Sequence, residues 1–481
     1  MSSSGATQLK ERGIQYWMER ALVECASARN GFAADPVHDL RVALRRCRSL
    51  ADGVRAVDPD PRWRAMRSAA KSVFRALGEL RDVQVLAEWV EKLSQEGDPV
   101  RQRLLEHCAA REAELKTLAA AALDAFDETQ WREWSVALEQ RAEAVAEHGE
   151  IFRVLALEKW LDAWQLHREA LRNRSKTGYH ALRIGVKRFR YLVENFLPEE
   201  HERWGKELKR IQDLLGEVHD FDVLLDTARA IHAFADEEEH ARWRALLERE
   251  RDERLAVYRK KMIGRGSLWR EWRAGLPRGK ALASGIQSRF ATWAGFLDPD
   301  VAHTRRVLRL SLKVHDALHE AALLRATEYR GVPARELLAV AALVREVGRA
   351  RGTRGHHKRA QRMLERLEPP PGWTPEHLRV AGLIARYHRG ALPAERHLPY
   401  RRLPARARAL VSALAGVLRL ADALAETTTV RMFHVEQTVP WIRLRAGGYD
   451  PQMAGAEQVA AARHLLETAV GRPVVITSTV R

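Results

Sequence analysis

A cationic segment occurs twice in this sequence of 481 residues, and it predicts two structurally similar halves. The segment VHDLRVALRRCRSL at 37–50 has a counterpart, YHALRIGVKRFRYL, at 179–192. Every basic position of the first copy is basic in the second, while the apolar positions exchange among Val, Ile, Leu and Phe. A second block follows each copy, LGELRDVQVL at 77–86 and LGEVHDFDVL at 215–224. A repeat of this kind indicates a duplicated structural unit.

The basic residues of the first copy form a stripe if the segment is helical. The spacing i, i+3, i+7, i+10 places on one helix face His38, Arg41, Arg45 and Arg48. A neighbouring stripe, shifted by one residue, is apolar and consists of Val37, Leu40, Leu44 and Cys47. Like charges at these spacings repel one another. We therefore expect a multivalent anion to bind along the basic stripe.

The periodicity of apolar residues predicts a mainly α protein with several domains. Ala, Leu, Arg and Glu recur at helical spacing with few Pro or Gly, and glycine becomes frequent only near residues 262–285. β-branched, partly alternating segments near the C-terminus predict strands around one helix. The predicted domains are a helical domain at 8–262 with repeats at about 8–140 and 141–262, a linker at 263–285, a helical domain at 286–427, and a small α+β segment at 428–481.

Charge is the compositional feature that bears on function. The chain has 81 Lys and Arg against 64 Asp and Glu, a net charge of +17, which favours an acidic partner such as a nucleic acid, polyphosphate or an anionic membrane surface. The cysteines Cys25, Cys47 and Cys108 are too widely separated for a metal site or a disulfide framework. Neither a membrane-spanning run nor a hydrophobic signal core is found, so a cytoplasmic location is expected.

The two repeated blocks resemble the signature of the CHAD family, helical domains named for their histidines, over residues 8–262. The resemblance implies tandem, pseudo-symmetric four-helix bundles whose basic stripes face a shared groove. It also implies inorganic polyphosphate as the ligand and association with polyphosphate granules. Carried over residue by residue, the implied binding positions are His38, Arg41, Arg45, Arg46, Arg48, Lys71, Arg81, His180, Arg183, Lys187, Arg188, Arg190 and Lys209. The second copy has His219 at the position of Arg81.

Physical chemistry leads to the same ligand class. Each stripe is about 15 Å long at the helical rise, so two facing stripes would line a trough for several phosphates of an extended polyanion. Arg offers forked donors that match phosphate oxygens, and Lys adds point charges. Some of these cations are instead expected to pair with carboxylates within the chain, the candidates being Glu79, Asp82, Glu217 and Asp220.

A second resemblance covers about residues 286–481. The histidines and one acid stand where an HD-type metal-dependent phosphohydrolase places its ligands, and the relevant positions are His303, His356, His357, His388 and Asp422. The segments GHHK and ARYHR are most similar to the helical C-terminal half of exopolyphosphatases. The resemblance implies a helical HD-like domain, without the catalytic N-terminal half of those enzymes.

The chain departs from the HD-type pattern at one dipeptide. Arg345-Glu346 replaces the adjacent His-Asp pair, and arginine is not an ordinary metal ligand. We therefore predict no metal and no other cofactor, with His303 and Asp422 as vestigial ligands that serve as polar residues between helices. The basic segment that follows predicts a secondary anion site formed by Arg349, Arg351, Arg354, His356, His357 and Lys358.

The sequence thus predicts a non-enzymatic protein that binds inorganic polyphosphate. Its partners would be the polymer and polyphosphate-metabolising proteins, with no membrane and with nucleic acid only as a non-specific competitor. Two alternatives stay open at this point. One is a metal-dependent phosphohydrolase acting on polyphosphate or nucleotides through the HD-like domain, and the other is a nucleic-acid-binding protein, suggested by net charge alone.

Overall fold

The computed structural model describes residues 13–146, 149–426, 430, 432–437, 440–452 and 455–478. Two units divide the chain, Met1–Pro277 and Arg278–Arg481. Residues 8–12 of the predicted helical domain and residues 427–429, 431, 438–439 and 479–480 of the predicted strand segments lie outside the described residues. Among the described residues, no helix combines the length and the apolar character that crossing a bilayer requires.

In the described residues of the first unit, every secondary-structure element is a helix. In chain order its first half contains α1 Ile14–Ala28, α2 Ala34–Val54, α3 Arg62–Ala69, α4 Lys71–Leu93, α5 Pro99–Asp124 and α6 Glu128–Ala146. Its second half contains α7 Gly149–Asn173, α8 Lys176–Phe196, α9 Pro198–Ala230, α10 Glu237–Met262 and α11 Leu268–Ala274.

The two halves repeat the same succession of long helices. In the first half, α1 packs against α2, α2 against α4, and α4 against α5. In the second half, α7 packs against α8, α8 against α9, and α9 against α10. The repeated cationic segments lie on α2 and α8, and the repeated LGE blocks lie on α4 and α9. The prediction of tandem helical repeats is confirmed.

Local sequence signals account for several helix ends near the repeats. The side chain of Ser175 caps α8 by accepting from the backbone nitrogen of Gly178, and Pro198 follows at the first position of α9. Asp98 caps α5 in the same way, with Pro99 as the first helical residue. The apolar stripe of α2 is fully buried, its members being Val37, Leu40, Leu44 and Cys47. Burial of that stripe leaves the basic stripe beside it, at the edge of the core.

The predicted boundaries differ from the structure at two places. Helix α6 runs through the predicted boundary at 140/141, and it packs against α1 and α3. The predicted linker at 263–285 contains α11, whose side chains Trp269 and Trp272 are fully buried with ring centroids 5.3 Å apart. The frequent glycines of this segment pointed to a linker, whereas the two tryptophans anchor it in the first unit.

The second unit is helical with two small sheets. Its elements are α12 Gly279–Gly295, α13 Val301–Glu320, β1 Glu328–Tyr329, β2 Val332–Pro333, α14 Ala334–Val344, a 3₁₀ turn Val347–Arg351, α15 His356–Leu364, α16 Pro375–Arg386, α17 Leu398–Arg401, α18 Ala405–Ala425, β3 Met432–Gln437, β4 Ile442–Gly447, α19 Ala456–Ala462, α20 His464–Val470 and β5 Val474–Ser478. Helix α14 is at the centre, because it packs against α12, α13, α16 and α18. Almost all of its residues are apolar and buried, as expected for an enclosed helix.

The C-terminal segment has the α+β character that its sequence predicts. Strand β3 pairs antiparallel with β4, and β4 pairs parallel with β5, with Ile442 opposite Val474. Helices α19 and α20 form the crossover that a parallel pair requires. Both helices pack against α18, so this segment is part of the second unit.

Candidate functional site

Helices α2 and α8 pack against each other, which brings the two cationic segments together. The guanidinium carbon of Arg45 lies 5.3 Å from the centroid of the Tyr191 ring. Arg46 on α2 forms an ion pair with Glu194 on α8 and donates to the side chain of Asn195 at 2.9 Å. The basic stripes of the two repeats therefore meet at one interface inside the first unit.

A cavity of about 510 Å³ opens between the two halves, and we call it the basic cavity. Its cationic lining comes from both repeats and consists of Arg45, Arg48, Arg67, Lys159, Arg183, Lys187 and Arg188. Asp52 is the acidic residue in the lining, and it is paired with Arg67 at 3.1 Å. A cavity with this excess of cations is suited to a polyanion.

Two aromatic rings position cations around the basic cavity. Phe74 lies beneath Arg48, whose guanidinium carbon is 4.5 Å from the ring centroid, and Arg41 contacts the same ring at 5.6 Å. The ring of Tyr191 contacts the guanidinium of Arg45, and its centroid lies 5.7 Å from the ammonium nitrogen of Lys187. A guanidinium stacked on a ring keeps its N–H groups free at its edge, where they can donate to phosphate oxygens.

A glycine of each LGE block faces the first arginine of the repeat. A Cβ atom at Gly78 on α4 would lie 2.9 Å from Nη1 of Arg41, and a Cβ atom at Gly216 on α9 would lie 3.8 Å from Nε of Arg183. Nη1 of Arg41 is buried and has no hydrogen-bond partner. The missing side chain at each glycine thus leaves room for the equivalent arginine to lie against α4 or α9. Arg41 lies closer to Gly78 than Arg183 does to Gly216.

Two acids of the LGE blocks reduce the positive charge beside the cavity. Burial raises the pKa of Asp82, although the cations Arg41, Arg183 and Lys187 act in the opposite direction. Burial likewise raises the pKa of Asp220 to about 6, against the effect of Arg183. Of the four carboxylates expected to pair with cations, the other two bind arginines that do not line the basic cavity, Glu79 with Arg75 and Glu217 with Arg254.

Among the cations that line the basic cavity, Lys187 has a pKa that is strongly lowered. Burial lowers its pKa to about 8, and the neighbouring Arg183, Arg45 and Arg41 lower it further. Burial also lowers the pKa values of Arg41 and Arg45, and further cations add to both effects. An anion in the basic cavity would relieve this repulsion.

Some of the binding positions implied by the resemblance are occupied by partners within the chain. Arg46 and Arg190 share Glu194, the latter at 3.4 Å, and Arg190 also donates to Gln212 at 3.1 Å. These two arginines join the helices, and we expect them to stabilise the interface rather than to bind phosphate. Glu194 is not among the four acids expected from the sequence. It pairs with Arg190 at i,i+4 on α8, and its pair with Arg46 forms only where α2 and α8 pack together.

Other implied positions lie outside the lining of the basic cavity. Arg81 is paired with Glu88 at 2.8 Å, and Lys209 with Asp213 at 2.8 Å. His38 and Lys71 are exposed, and Nδ1 of His180 lies 3.4 Å from Nδ1 of His219. The cationic lining residues that the repeat did not reveal are Arg67 and Lys159. They lie on α3 and α7, outside both repeated blocks, so only the tertiary structure identifies them.

In the second unit, Arg345 fills the position where an HD-type domain has a metal ligand. Its side chain is fully buried, and its Nε donates to Oδ1 of Asp422 at 3.0 Å. Its Nη1 donates to Oγ1 of Thr304 at 2.8 Å, and Nε2 of His303 lies 3.5 Å from the same Asp422 oxygen. His303 and Asp422 therefore face the guanidinium of Arg345, which binds Asp422.

The predicted secondary anion site is divided between surface and interior. Arg349, Arg351, Arg354 and Lys358 are exposed. Arg359 holds the loop by donating to the carbonyls of Gly348 at 3.0 Å, Arg354 at 2.8 Å and Gly352. His356 is buried and turned inward, and burial lowers the pKa of the half-buried His357 to about 4. The structure therefore places His356 away from the exposed arginines, and we expect neither histidine to act as a surface cation beside them.

The inward histidine belongs to a cluster of which the sequence analysis identified only the two histidines. Among the described residues, one group of three side chains brings possible metal-ligand atoms within 4.8 Å of one another, and it consists of Glu346, His356 and His388. All three are buried. The prediction of no metal ligand beyond the vestigial His303 and Asp422 rested on the Arg345-Glu346 dipeptide, which was read as the loss of two ligands. Glu346 keeps its carboxylate and meets two histidines from distant segments.

Comparison with known proteins gives two family matches. Residues 17–229 and 157–329 match the CHAD domain, and residues 294–440 match the Ppx/GppA phosphatase, domain III. The first CHAD match begins 21 residues before His38 and the second 23 residues before His180, as expected for a duplicated unit. The second match extends past Pro277, whereas the residues beyond it pack in the second unit. No curated protein matches the sequence significantly.

Proposed function

The chain belongs to the CHAD domain family, whose two matches cover about two thirds of it, and we propose that it binds inorganic polyphosphate. The observation that carries the proposal is the basic cavity, where seven Lys and Arg side chains from both repeats line one space of about 510 Å³. The second unit adds support, because residues 294–440 match domain III of the Ppx/GppA phosphatases.

The character of the lining favours polyphosphate over nucleic acid. Proteins that bind single strands commonly stack bases on aromatic rings. The aromatic rings of the basic cavity, Phe74 and Tyr191, already carry guanidinium or ammonium groups. A ligand that offers only charged oxygens uses these cations and needs no ring. Nucleic acid is therefore expected to be a competitor that polyphosphate displaces.

The proposed complex is held by charge-assisted hydrogen bonds from both repeats. The arginines donate forked pairs of N–H groups to phosphate oxygens, and Lys187 adds a point charge at the helix interface. Because each phosphate contact releases condensed counterions, the affinity should fall steeply with salt, as it does for other polyelectrolytes. Association with granules and with polyphosphate-metabolising proteins would follow from the same binding.

The hydrolytic alternative has less support from the geometry. Asp422 is bound by Arg345 at 3.0 Å, so this carboxylate and His303 are arranged around a guanidinium. We therefore propose that polyphosphate is bound and released without cleavage at that position. A sustained release of phosphate that the change of His303 or Asp422 abolishes would reverse this conclusion.

Titration calorimetry with long-chain polyphosphate on the full chain tests the proposal. We expect binding that weakens progressively between about 50 and 500 mM salt. Arg183→Ala and Lys187→Ala should each lower the affinity about tenfold, since a charge-assisted hydrogen bond contributes roughly 1.5–3 kcal/mol. Arg111→Ala is the matched control, because Arg111 is paired with Glu114 on α5 and does not line the basic cavity.

Three results would contradict the proposal. They are the absence of binding, an affinity independent of salt, and an equal effect of the control and cavity variants. A competition measurement decides between the polyanions: polyphosphate should displace DNA or RNA readily, and nucleic acid should not displace polyphosphate.

A further inference from the structure

The second unit contains a cluster of metal-ligand atoms whose function is independent of the basic cavity. We propose that Glu346, His356 and His388 bind one divalent transition-metal ion, with Zn²⁺ as the ion that the donor set fits best. Two imidazoles and one carboxylate are a recurring zinc ligand set, and they leave a fourth position for water. The site does not use His303 or Asp422, which lie around Arg345.

The separations of the ligand atoms suit a tetrahedral ion. Oε2 of Glu346 lies 3.5 Å from Nε2 of His356, and Oε1 of Glu346 lies 3.3 Å from Nε2 of His388. Ligand bonds of about 2.0–2.1 Å at tetrahedral angles place neighbouring ligand atoms about 3.4 Å apart. Both carboxylate–imidazole distances match this spacing, and one ligand atom from each of the three side chains lies within 4.8 Å of the other two.

The histidine tautomers present the correct nitrogens. Nδ1 of His356 donates to the carbonyl of Thr353 at 2.8 Å, and Nδ1 of His388 donates to the carbonyl of Ala385 at 2.6 Å. In the neutral imidazole the proton is then on Nδ1, and Nε2 carries a lone pair. A backbone carbonyl on the distal nitrogen is the usual arrangement that orients a metal-binding histidine.

The facing atoms lack hydrogen-bond partners. Nε2 of His356, Nε2 of His388 and Oε2 of Glu346 are buried without a hydrogen bond. Two lone pairs directed at a carboxylate repel it unless a cation lies between them, and buried polar groups without partners are rare. A metal ion satisfies all three groups at once, whereas a single proton can satisfy only one histidine–carboxylate contact.

The three ligands come from separate elements that the fold holds together. Glu346 lies between α14 and the 3₁₀ turn, His356 begins α15, and His388 follows α16. A Cβ atom at Gly348 would lie 2.1 Å from the backbone oxygen of His356, so glycine is needed for α15 to come this close. Arg349 approaches Oε2 of Glu346 at 3.5 Å, but its side chain is exposed and can turn into solvent.

The ion would also connect the two ends of the basic loop, residues 347–355. Residues 347–355 connect two of its ligands, Glu346 and His356, and they carry the exposed Arg349, Arg351 and Arg354. A metal that fixes both ends of this loop restricts its conformations. Removal of the metal should therefore expose the loop to cleavage after these arginines.

The test uses the full chain, stripped with a chelator and titrated with Co²⁺ as a spectroscopic probe and with Zn²⁺. We expect one ion per chain, a visible Co²⁺ band typical of tetrahedral nitrogen and oxygen coordination, and slower tryptic cleavage within 347–355. Glu346→Gln and His388→Ala should abolish the band and weaken binding by more than about tenfold. His357→Ala and His303→Ala are the controls and should leave both unchanged.

Circular dichroism shows whether each variant is folded, and the near-isosteric Glu346→Gln keeps the test valid if His388→Ala does not fold. The proposal is overturned if the wild-type chain binds no ion, if Glu346→Gln binds as the wild type does, or if His303→Ala abolishes binding. The last result would place the ion beside His303 and Asp422 instead. None of these outcomes depends on polyphosphate, so the proposal stands or falls separately from the proposed function.

Discussion

Arg45 on α2 stacks on the ring of Tyr191 on α8, with 5.3 Å between its guanidinium carbon and the ring centroid. A cation of the first repeat is thus positioned by an aromatic side chain of the second. The equivalent position in the first repeat is Ser49. The two cationic segments are therefore parts of one surface rather than two independent copies.

Two replacements of Tyr191 distinguish the contribution of its ring to binding from that of its hydroxyl. Tyr191→Leu removes the platform under Arg45 and Lys187 without changing the net charge, so the affinity for polyphosphate should fall several-fold, since a cation–π contact contributes about 0.5–2 kcal/mol. Tyr191→Phe keeps the ring, and the hydroxyl it removes is buried without a partner. Calorimetry should give wild-type affinity for Phe, and equal losses in both variants would contradict the platform role.

Adjacent arginines on α2 should behave differently. Arg45→Ala removes a cation from the basic cavity and should lower the affinity about tenfold with little change in the melting temperature. Arg46→Ala removes the partner of Glu194 and Asn195, so it should lower the melting temperature by several degrees and leave the affinity nearly unchanged. Calorimetry and thermal denaturation on both variants measure the two effects, and an exchange of the two phenotypes would refute the assignment.

The affinity should depend on the protonation of Lys187. Its pKa is lowered to about 8, so the ammonium is charged below that pH and neutral above it. Since the anion binds the charged form, affinity should decline as the pH rises from 7 to about 9. Lys187→Arg keeps the charge throughout this range. A titration series should show a smaller decline for this variant than for the wild type, and identical pH profiles would exclude Lys187 as the titrating group.

The two glycines of the LGE blocks should respond unequally to alanine. A Cβ atom at Gly78 meets the guanidinium of Arg41 at 2.9 Å and must displace it, whereas Gly216 leaves 3.8 Å. Alanine favours the helix by up to about 1 kcal/mol, so Gly216→Ala should be neutral or stabilising. Gly78→Ala should lower the affinity for polyphosphate by moving Arg41. Binding and unfolding measurements on the pair check this, and weaker binding by Gly216→Ala than by Gly78→Ala would contradict it.

The buried guanidinium of the second unit should be essential for stability. Arg345→Met leaves Asp422 without its closest cation and should lower the free energy of unfolding by about 3 kcal/mol, as is typical when one partner of a buried pair is removed. The double variant Arg345→Met with Asp422→Leu should recover part of the loss, because no charge is left unpaired. Denaturant unfolding measures both. A single variant as stable as the wild type would show that the pair is not structural.

The sequence predicted most accurately those features that depend only on the spacing of residues along a helix, such as the basic stripes. The repeated stripe, the helical halves and the exopolyphosphatase-like second unit follow from the residues at 37–50, at 179–192 and at about 286–481, and the family matches support them. The prediction was weakest for individual partners. Arg46 and Arg48 look alike in the sequence, yet Arg46 is bound to Glu194 and Arg48 lines the basic cavity.

The sequence by itself determined that the chain is a duplicated helical protein with two matched cationic faces, because helical periodicity and a repeat are local properties. Only the tertiary structure decided which cations face the same space, that Arg67 and Lys159 join them, and that Glu346 meets His356 and His388. Those groupings depend on how helices distant in the chain pack. Packing is governed by the buried apolar faces rather than by the charged residues that the packing brings together.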